Sequence, residues 1–179
     1  RAGLCVRVNA GSHDEPLAYP GLAHFLEHLL FLGSAGFTAE QRLMPFVQAC
    51  GGQVNATTRA NYTEYFCEVP ADYLEEALVR LLDMLVRPLL EEAEQLRERD
   101  VVHAEFIARS QDVDTLLGAA LGQTLAEGHR CAVFQAGNRD TLPVTDAAFQ
   151  QALRTFHQVF YRAGNCQLSI VAPLSLADL

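Results

Sequence analysis

His24-Phe25-Leu26-Glu27-His28 sits inside the apolar run from Leu22 to Leu32, which Gly33 closes. At 3.6 residues per turn, two histidines at i and i+4 and a glutamate at i+3 project from neighbouring positions on one helical face. Leu22, Phe25, Leu26, Leu29, Leu30, Phe31 and Leu32 leave that helix almost no face for water, so it is expected to be buried. Buried imidazoles and a buried carboxylate need partners. A bound metal ion would supply one.

The order HxxEH inverts the HExxH zinc signature: both histidines can ligate Zn²⁺, while Glu27 remains available to activate water. Five residues can match by chance, so the reading requires a third ligand elsewhere in the chain.

Upstream of the motif, Leu4, Val6 and Val8 alternate as in a strand. Gly11-Ser12-His13-Asp14-Glu15-Pro16 is a polar, turn-rich loop in which His13 reads as solvated, and Pro20-Gly21 introduces the motif helix. Downstream, Thr38 with Gln41 has the form of a capping box for a helix running to about Cys50, with Pro45 kinking it or delaying its start. Gly51-Gly52 ends it. Gln53 to Thr58 and Tyr62 to Val69 are strand-like runs joined by Arg59-Ala60-Asn61, which predicts a β-hairpin. Asp72 with Glu75 should cap a helix whose Leu74, Leu78, Leu81, Leu82 and Leu85 form a core stripe, and Pro88 stops it.

The longest predicted helix runs from about Glu91 to Glu127. On it Glu98 and Glu105 fall about 20° apart in azimuth, with Val101 and Val102 between them on the same side. A solvated acidic face accounts for Glu91, Glu92 and Glu94; for Glu105 a ligand role competes with that account. A loop through His129-Arg130-Cys131 and Gly137-Asn138-Arg139-Asp140 follows. Pro143 and Thr145 then open a last helix with Phe149, Leu153, Phe156 and Phe160 on one face, and Cys166 to Ala172 reads as a closing strand. His103, His129 and His157 have no partner at ligand spacing.

The 179 residues, 50% hydrophobic and 20% charged, suit one globular domain with a substantial core. The net charge is −9 and all 13 basic residues are Arg, so there is no basic stripe to bind nucleic acid; basic or neutral peptides are compatible partners. The 5 cysteines are widely spaced with no CxxC pair, which argues against both a disulfide framework and a thiolate zinc site. No apolar run reaches the ~18 residues of a membrane span. The chain opens at Arg1 directly into a strand and stops one turn after Ser175, a fitting helix N-cap. Both ends look cut, so a piece of a longer polypeptide is expected.

Three segments together resemble the insulinase and pitrilysin family of inverted-motif zinc peptidases, over nearly the whole chain. They are Gly21 to Ser34 around the motif, Gly51-Gly52-Gln53-Val54-Asn55-Ala56-Thr57-Thr58, and Glu98-Arg99-Asp100-Val101-Val102-His103-Ala104-Glu105. The resemblance implies an α+β fold, a mainly antiparallel sheet with helices packed on one face, and one Zn²⁺ held by His24, His28 and Glu105 with Glu27 as catalytic base. It also implies that Glu98 supports the site without binding the ion. The Asn55-Ala56 strand would be the edge on which an extended peptide is laid as an added β-strand. Pro45 and His103 depart from the family pattern without touching these positions. Residues 1–179 would then be most of the N-terminal, zinc-binding domain of a multi-domain protein. Such proteins close as two halves round a chamber.

Within the family, the Arg-only, Ala- and Leu-rich composition is similar to the bacterial branch linked to pyrroloquinoline quinone biosynthesis, whose role would be to trim a precursor peptide. The expectation is therefore a bacterial zinc endopeptidase, cytoplasmic rather than periplasmic. Its partners would be a peptide substrate and the remaining domains or a partner subunit. The rival reading is a non-catalytic homologue serving as scaffold or presenting subunit, a role that usually follows loss of part of the motif; here the motif is whole.

Overall fold

Strand β1 (Ala2–Val8) is the spine of a four-stranded sheet of order β2-β3-β1-β4, in which every pairing is antiparallel. The hairpin strands β2 (Gln53–Thr58) and β3 (Thr63–Val69) lie on one side of β1 and β4 (Cys166–Val171) on the other. The structure is a computed structural model that describes residues 1–126, 128–132, 134 and 136–178. Register follows the alternation in the sequence. Leu4 faces Cys67 and Ile170, and Val6 faces Tyr65 and Leu168. Ala2, Leu4, Val6 and Val8 with Tyr65, Cys67 and Val69 are buried on one face, while the half-buried Glu64 and the exposed Phe66 and Glu68 point the other way. Slipping any strand by one residue would exchange those sets, which is why the register is firmly specified.

The buried face is covered by helices, with α1 (Leu22–Leu30) under β2 and α3 (Leu74–Val86) against β1 and β3. α6 (Ala147–Phe160) packs on α1, where Phe149 meets Phe25 at a ring separation of 6.1 Å and Tyr19 edge-on at 5.3 Å. Leu22, Phe25, Leu26, Leu30, Phe149 and Leu153 are fully enclosed. Each such side chain contributes about 1.5–3 kcal/mol through burial. Tyr65 and Tyr161, also buried, satisfy one another through a 2.8 Å hydroxyl contact.

Several expectations are corrected in detail. α2 spans Leu43–Ala49, so Pro45 sits in the first helical turn, where a missing N–H forfeits no intrahelical bond. The Thr38–Gln41 contact forms, with Thr38 N donating to Gln41 Oε1 at 3.4 Å, but in the turn before the helix. In α3 the inward stripe is Leu74, Ala77, Leu81, Met84 and Leu85, whereas Leu82 is 40% exposed. Leu74, Leu81 and Leu85 face the core as expected and Leu78 packs at its margin, but the small Ala77 and Met84 complete the stripe in place of Leu82, turning its centre by about 50°. Asp72 lies in a short 3₁₀ turn, and α3 has no side-chain cap.

The long C-terminal helix is two helices, α4 (Glu92–Arg109) and α5 (Val113–Gly122). The Ser110 hydroxyl donates to the Phe106 carbonyl at 2.7 Å, and Asp112 takes an extended conformation and caps α5 by accepting from Thr115 N at 2.9 Å. Both residues offer the backbone an alternative to helix at that point. The expected end at Glu127 lies outside the described residues. Val102 is buried but Val101 is exposed, so only one of the two valines between the acidic residues is apolar core. The cap of α6 is Asp146, which accepts from Ala148 N at 2.7 Å, rather than Thr145.

Candidate metal centre

The motif helix must begin on a glycine. Gly21 has φ +92°, and a Cβ there would lie 2.2 Å from the Cα of Gly137. Lacking a side chain, Gly21 cannot cap the helix, and Glu15 does so from the preceding loop: its carboxylate accepts from Gly21 N at 2.9 Å and Ala23 N at 3.0 Å. Glu15 is 3% exposed. Burial pushes its pKa up to about 7, against the opposing pull of the Ala23 and Gly21 amides and the Arg130 charge.

One turn into α1, His24 is buried and directs Nδ1 at the Ala136 carbonyl, 2.7 Å away. His28 directs Nδ1 at Glu98 Oε1 on α4, also at 2.7 Å. Both partners are acceptors, so both Nδ1 atoms carry the proton and both Nε2 atoms present lone pairs in the neutral rings. Those two Nε2 atoms face each other at 3.2 Å. The Glu105 carboxylate closes the third side, with 3.6 Å from Oε2 to His24 Nε2 and from Oε1 to His28 Nε2.

Three lone-pair donors converging at such distances repel unless a proton or a metal cation lies between them, although Arg109 also pairs with Glu105 Oε2 at 3.3 Å. Tetrahedral zinc with Zn–N and Zn–O bonds of ~2.0–2.2 Å has ligand–ligand edges of roughly 3.3–3.5 Å, close to the observed separations. His24, His28 and Glu105 are the one group of potential metal ligands found among the described residues, and their donor set suits such an ion. Burial pulls the His24 pKa down, with the Ala136 carbonyl opposing it. Burial acts the same way on His28, but the Glu98 hydrogen bond and the Glu105 charge outweigh it and the net shift is upward.

Glu27, on the same helix, is buried, and burial raises its pKa while a hydrogen bond from Thr58 and the nearby His28 charge oppose the rise. The Thr58 hydroxyl donates to Glu27 Oε2 at 2.5 Å. Thr58 ends β2, which is an edge of the sheet because it pairs with β3 alone. Asn55 and Ala56 lie on that edge, and Asn55 Oδ1 accepts from Ala56 N at 2.9 Å, covering an amide that the ladder leaves unused. The residues singled out in the sequence are thus brought together: His24, Glu27 and His28 on α1, Glu98 and Glu105 on α4, and Asn55 and Ala56 on the neighbouring edge. The remaining histidines stand apart; His157, for example, binds the Leu85 carbonyl at 2.7 Å.

Sequence reasoning passed over Glu15, Thr58 and the Ala136 carbonyl. A signal existed for the first two: an acid shortly before a helix that starts on glycine, and a hydroxyl at an inward position of the strand next to the motif helix.

The sequence profile described as Insulinase (Peptidase family M16) matches residues 1–132, more than half the chain. The chain belongs to the insulinase family. Among the relatives of this insulinase-family chain, Coenzyme PQQ synthesis protein F of Pseudomonas aeruginosa is 55% identical over 179 residues, covering 100% of this chain and 23% of that protein. Protease 3 of Escherichia coli K12 is 34% identical over 174 residues, 96% of this chain and 18% of that protein. The crystal structure of pitrilysin superposes with a TM-score of 0.89 at 33% identity, over 99% of this chain and 19% of that one. A protease from Helicobacter pylori superposes with a TM-score of 0.86 at 25% identity, over 99% of this chain and 42% of that one. The chain therefore spans less than a quarter of the length of these two curated relatives. No described helix is long and apolar enough to cross a membrane.

Proposed function

We propose that residues 1–179 form most of the N-terminal, zinc-binding domain of a longer endopeptidase, which hydrolyses peptides bound in extended form. The observation that carries this reading is the convergence of His24 Nε2, His28 Nε2 and the Glu105 carboxylate, with the Glu27 carboxylate beside them on the same helix. Bound there, zinc supplies Lewis-acid polarisation of the scissile carbonyl and draws the pKa of a water down towards ~7.

The chain's own groups perform the rest. Glu27 Oε1 takes the proton of the attacking water and returns it to the leaving amine. The Ala136 carbonyl and Glu98 fix the imidazole tautomers that turn both Nε2 lone pairs inward. The outward backbone amide and carbonyl of β2 at Ala56, with the Asn55 side chain beside them, receive the peptide as an added strand, which selects for extended backbone rather than for side chains. For the Ala56 amide to donate to a carbonyl of the peptide, the Asn55 side chain that now covers it must release it.

The 55% identity to a Coenzyme PQQ synthesis protein F supports the finer proposal that the substrate is a precursor peptide in pyrroloquinoline quinone synthesis. The five free thiols fit a reducing compartment, and we place the protein in the bacterial cytoplasm. Val113, Leu117 and Leu121 on α5 are each more than half exposed, an apolar surface suited to cover by the remaining domains or a partner subunit.

The test is to purify the full-length protein, measure its zinc stoichiometry and assay cleavage of candidate precursor peptides with and without a chelator. One zinc per chain and chelator-sensitive cleavage is the expected result. A well-folded protein that binds no zinc would overturn the assignment.

A further inference from the structure

We infer that Thr58 is a positioning residue for Glu27, so that the strand receiving the peptide also sets the orientation of the base. This rests on the peptidase reading above, in which Glu27 moves the proton. On its own helix Glu27 is flanked by His24 and His28, whose Nδ1 atoms are taken by the Ala136 carbonyl and Glu98 and whose Nε2 atoms face each other, and otherwise by buried apolar side chains such as Leu26 and Leu30. Nothing on its own helix holds the carboxylate, whose terminal torsion is broad and roughly two-fold. The Thr58 hydroxyl supplies what is missing, by donating to Oε2 at 2.5 Å. Among the described residues Oε1 has no protein donor, so it is the oxygen left for the reacting water.

Thr58 is suited to this by type and by place. A β-branched side chain is stiff at χ1, so its hydroxyl is already aimed before Glu27 arrives. By the period of two, Thr58 shares the helix-facing side of β2 with Val54 and Ala56, and α1 packs beneath that strand. Thr58 is also two residues beyond Ala56 on the strand proposed to pair with substrate. The backbone that fixes the register of the scissile bond and the hydroxyl that fixes the base therefore move as one rigid unit. Proton transfer demands heavy-atom placement of about 2.6–3.2 Å, and small misplacements of such groups cost large factors in rate.

The experiment uses the full-length protein carrying Thr58→Val, which keeps the shape and removes the donor, and Thr58→Ser, which keeps the donor. Turnover and KM on a cleaved peptide are measured together with zinc affinity by chelator competition and the thermal midpoint. Thr58→Val should lower kcat about 10- to 100-fold, in the range of outer partners of such sites, with KM, zinc affinity and thermal midpoint close to wild type. Thr58→Ser should recover most of the lost turnover. A Val variant with wild-type kcat overturns the positioning role while leaving the peptidase reading intact. So does a Val variant that loses zinc or stability in proportion to activity without rescue by Ser, because that pattern belongs to a merely structural hydroxyl. A wild-type protein that neither binds zinc nor cleaves peptide overturns the reading beneath it as well.

Discussion

The backbone of Gly137 occupies the place that a side chain on Gly21 would need, 2.2 Å from a Cβ built there. This contact joins the start of the motif helix to the loop whose Ala136 carbonyl holds His24. Gly21→Ala should therefore do more than strain one backbone. The left-handed conformation alone costs about 1–2 kcal/mol, and the overlap should push Ala136 off His24. The expected outcome is a lower thermal midpoint together with weaker zinc binding by chelator competition. Unchanged zinc affinity in a destabilised variant would separate the two effects.

Glu27→Gln should retain zinc and lose peptide hydrolysis by at least about 10²-fold, because it removes a proton acceptor of the same size and leaves the three proposed ligands in place. Zinc content and turnover measured on one preparation decide it. Loss of the metal in this variant would contradict the division of roles.

Glu105→Gln should weaken metal binding directly, since a neutral amide oxygen is a poorer ligand than a carboxylate. Glu98→Gln should act through His28 and cost about 10- to 100-fold in affinity or activity. Equal effects from the two substitutions would argue that both carboxylates play the same part.

Glu15 makes a pH-dependent contribution whose sign follows from its buried position. Its folded pKa, about 7, stands above the ordinary 4.5, so the protonated form is the one favoured by folding. The contribution is fully present below pH ~4.5 and is lost as pH rises through about 7. Glu15→Gln, which cannot ionise, should flatten the stability profile of the metal-free protein across that window. A profile unchanged by the substitution would show that Glu15 titrates normally.

Much of the centre was legible because it is local or periodic. The motif helix is short and almost uniformly apolar, and the alternation in Leu4-Cys5-Val6-Arg7-Val8 and in Thr63 to Val69 determines which face of the sheet is buried. Glu105 stood out as a candidate ligand through its joint match with the other two segments. What escaped depends on contacts between distant stretches. Only the glycine start of the motif helix hints that Glu15 caps it, since its polar neighbours otherwise read as an ordinary loop, and the Ala136 carbonyl has no side chain to give it away. The break at Ser110-Gln111-Asp112 was hidden by helix-favouring residues on either side, where a single Asp in an extended conformation decided the matter.

His28 and Glu105 lie 105 − 28 = 77 residues apart in the chain, and between them run α2, the β2–β3 hairpin and α3. An ion gripped by both would tie off that stretch and so curtail the freedom of the unfolded chain, much as a covalent cross-link does. For a ring of this size the entropic stabilisation is roughly 4–5 kcal/mol. The hairpin that carries Asn55, Ala56 and Thr58 lies within the ring, so a chelator should slacken the peptide-binding edge as well as empty the centre. Faster hydrogen exchange at the β2 amides after zinc removal would register that slackening. Exchange confined to the α1 and α4 ends would show the clasp to be purely local.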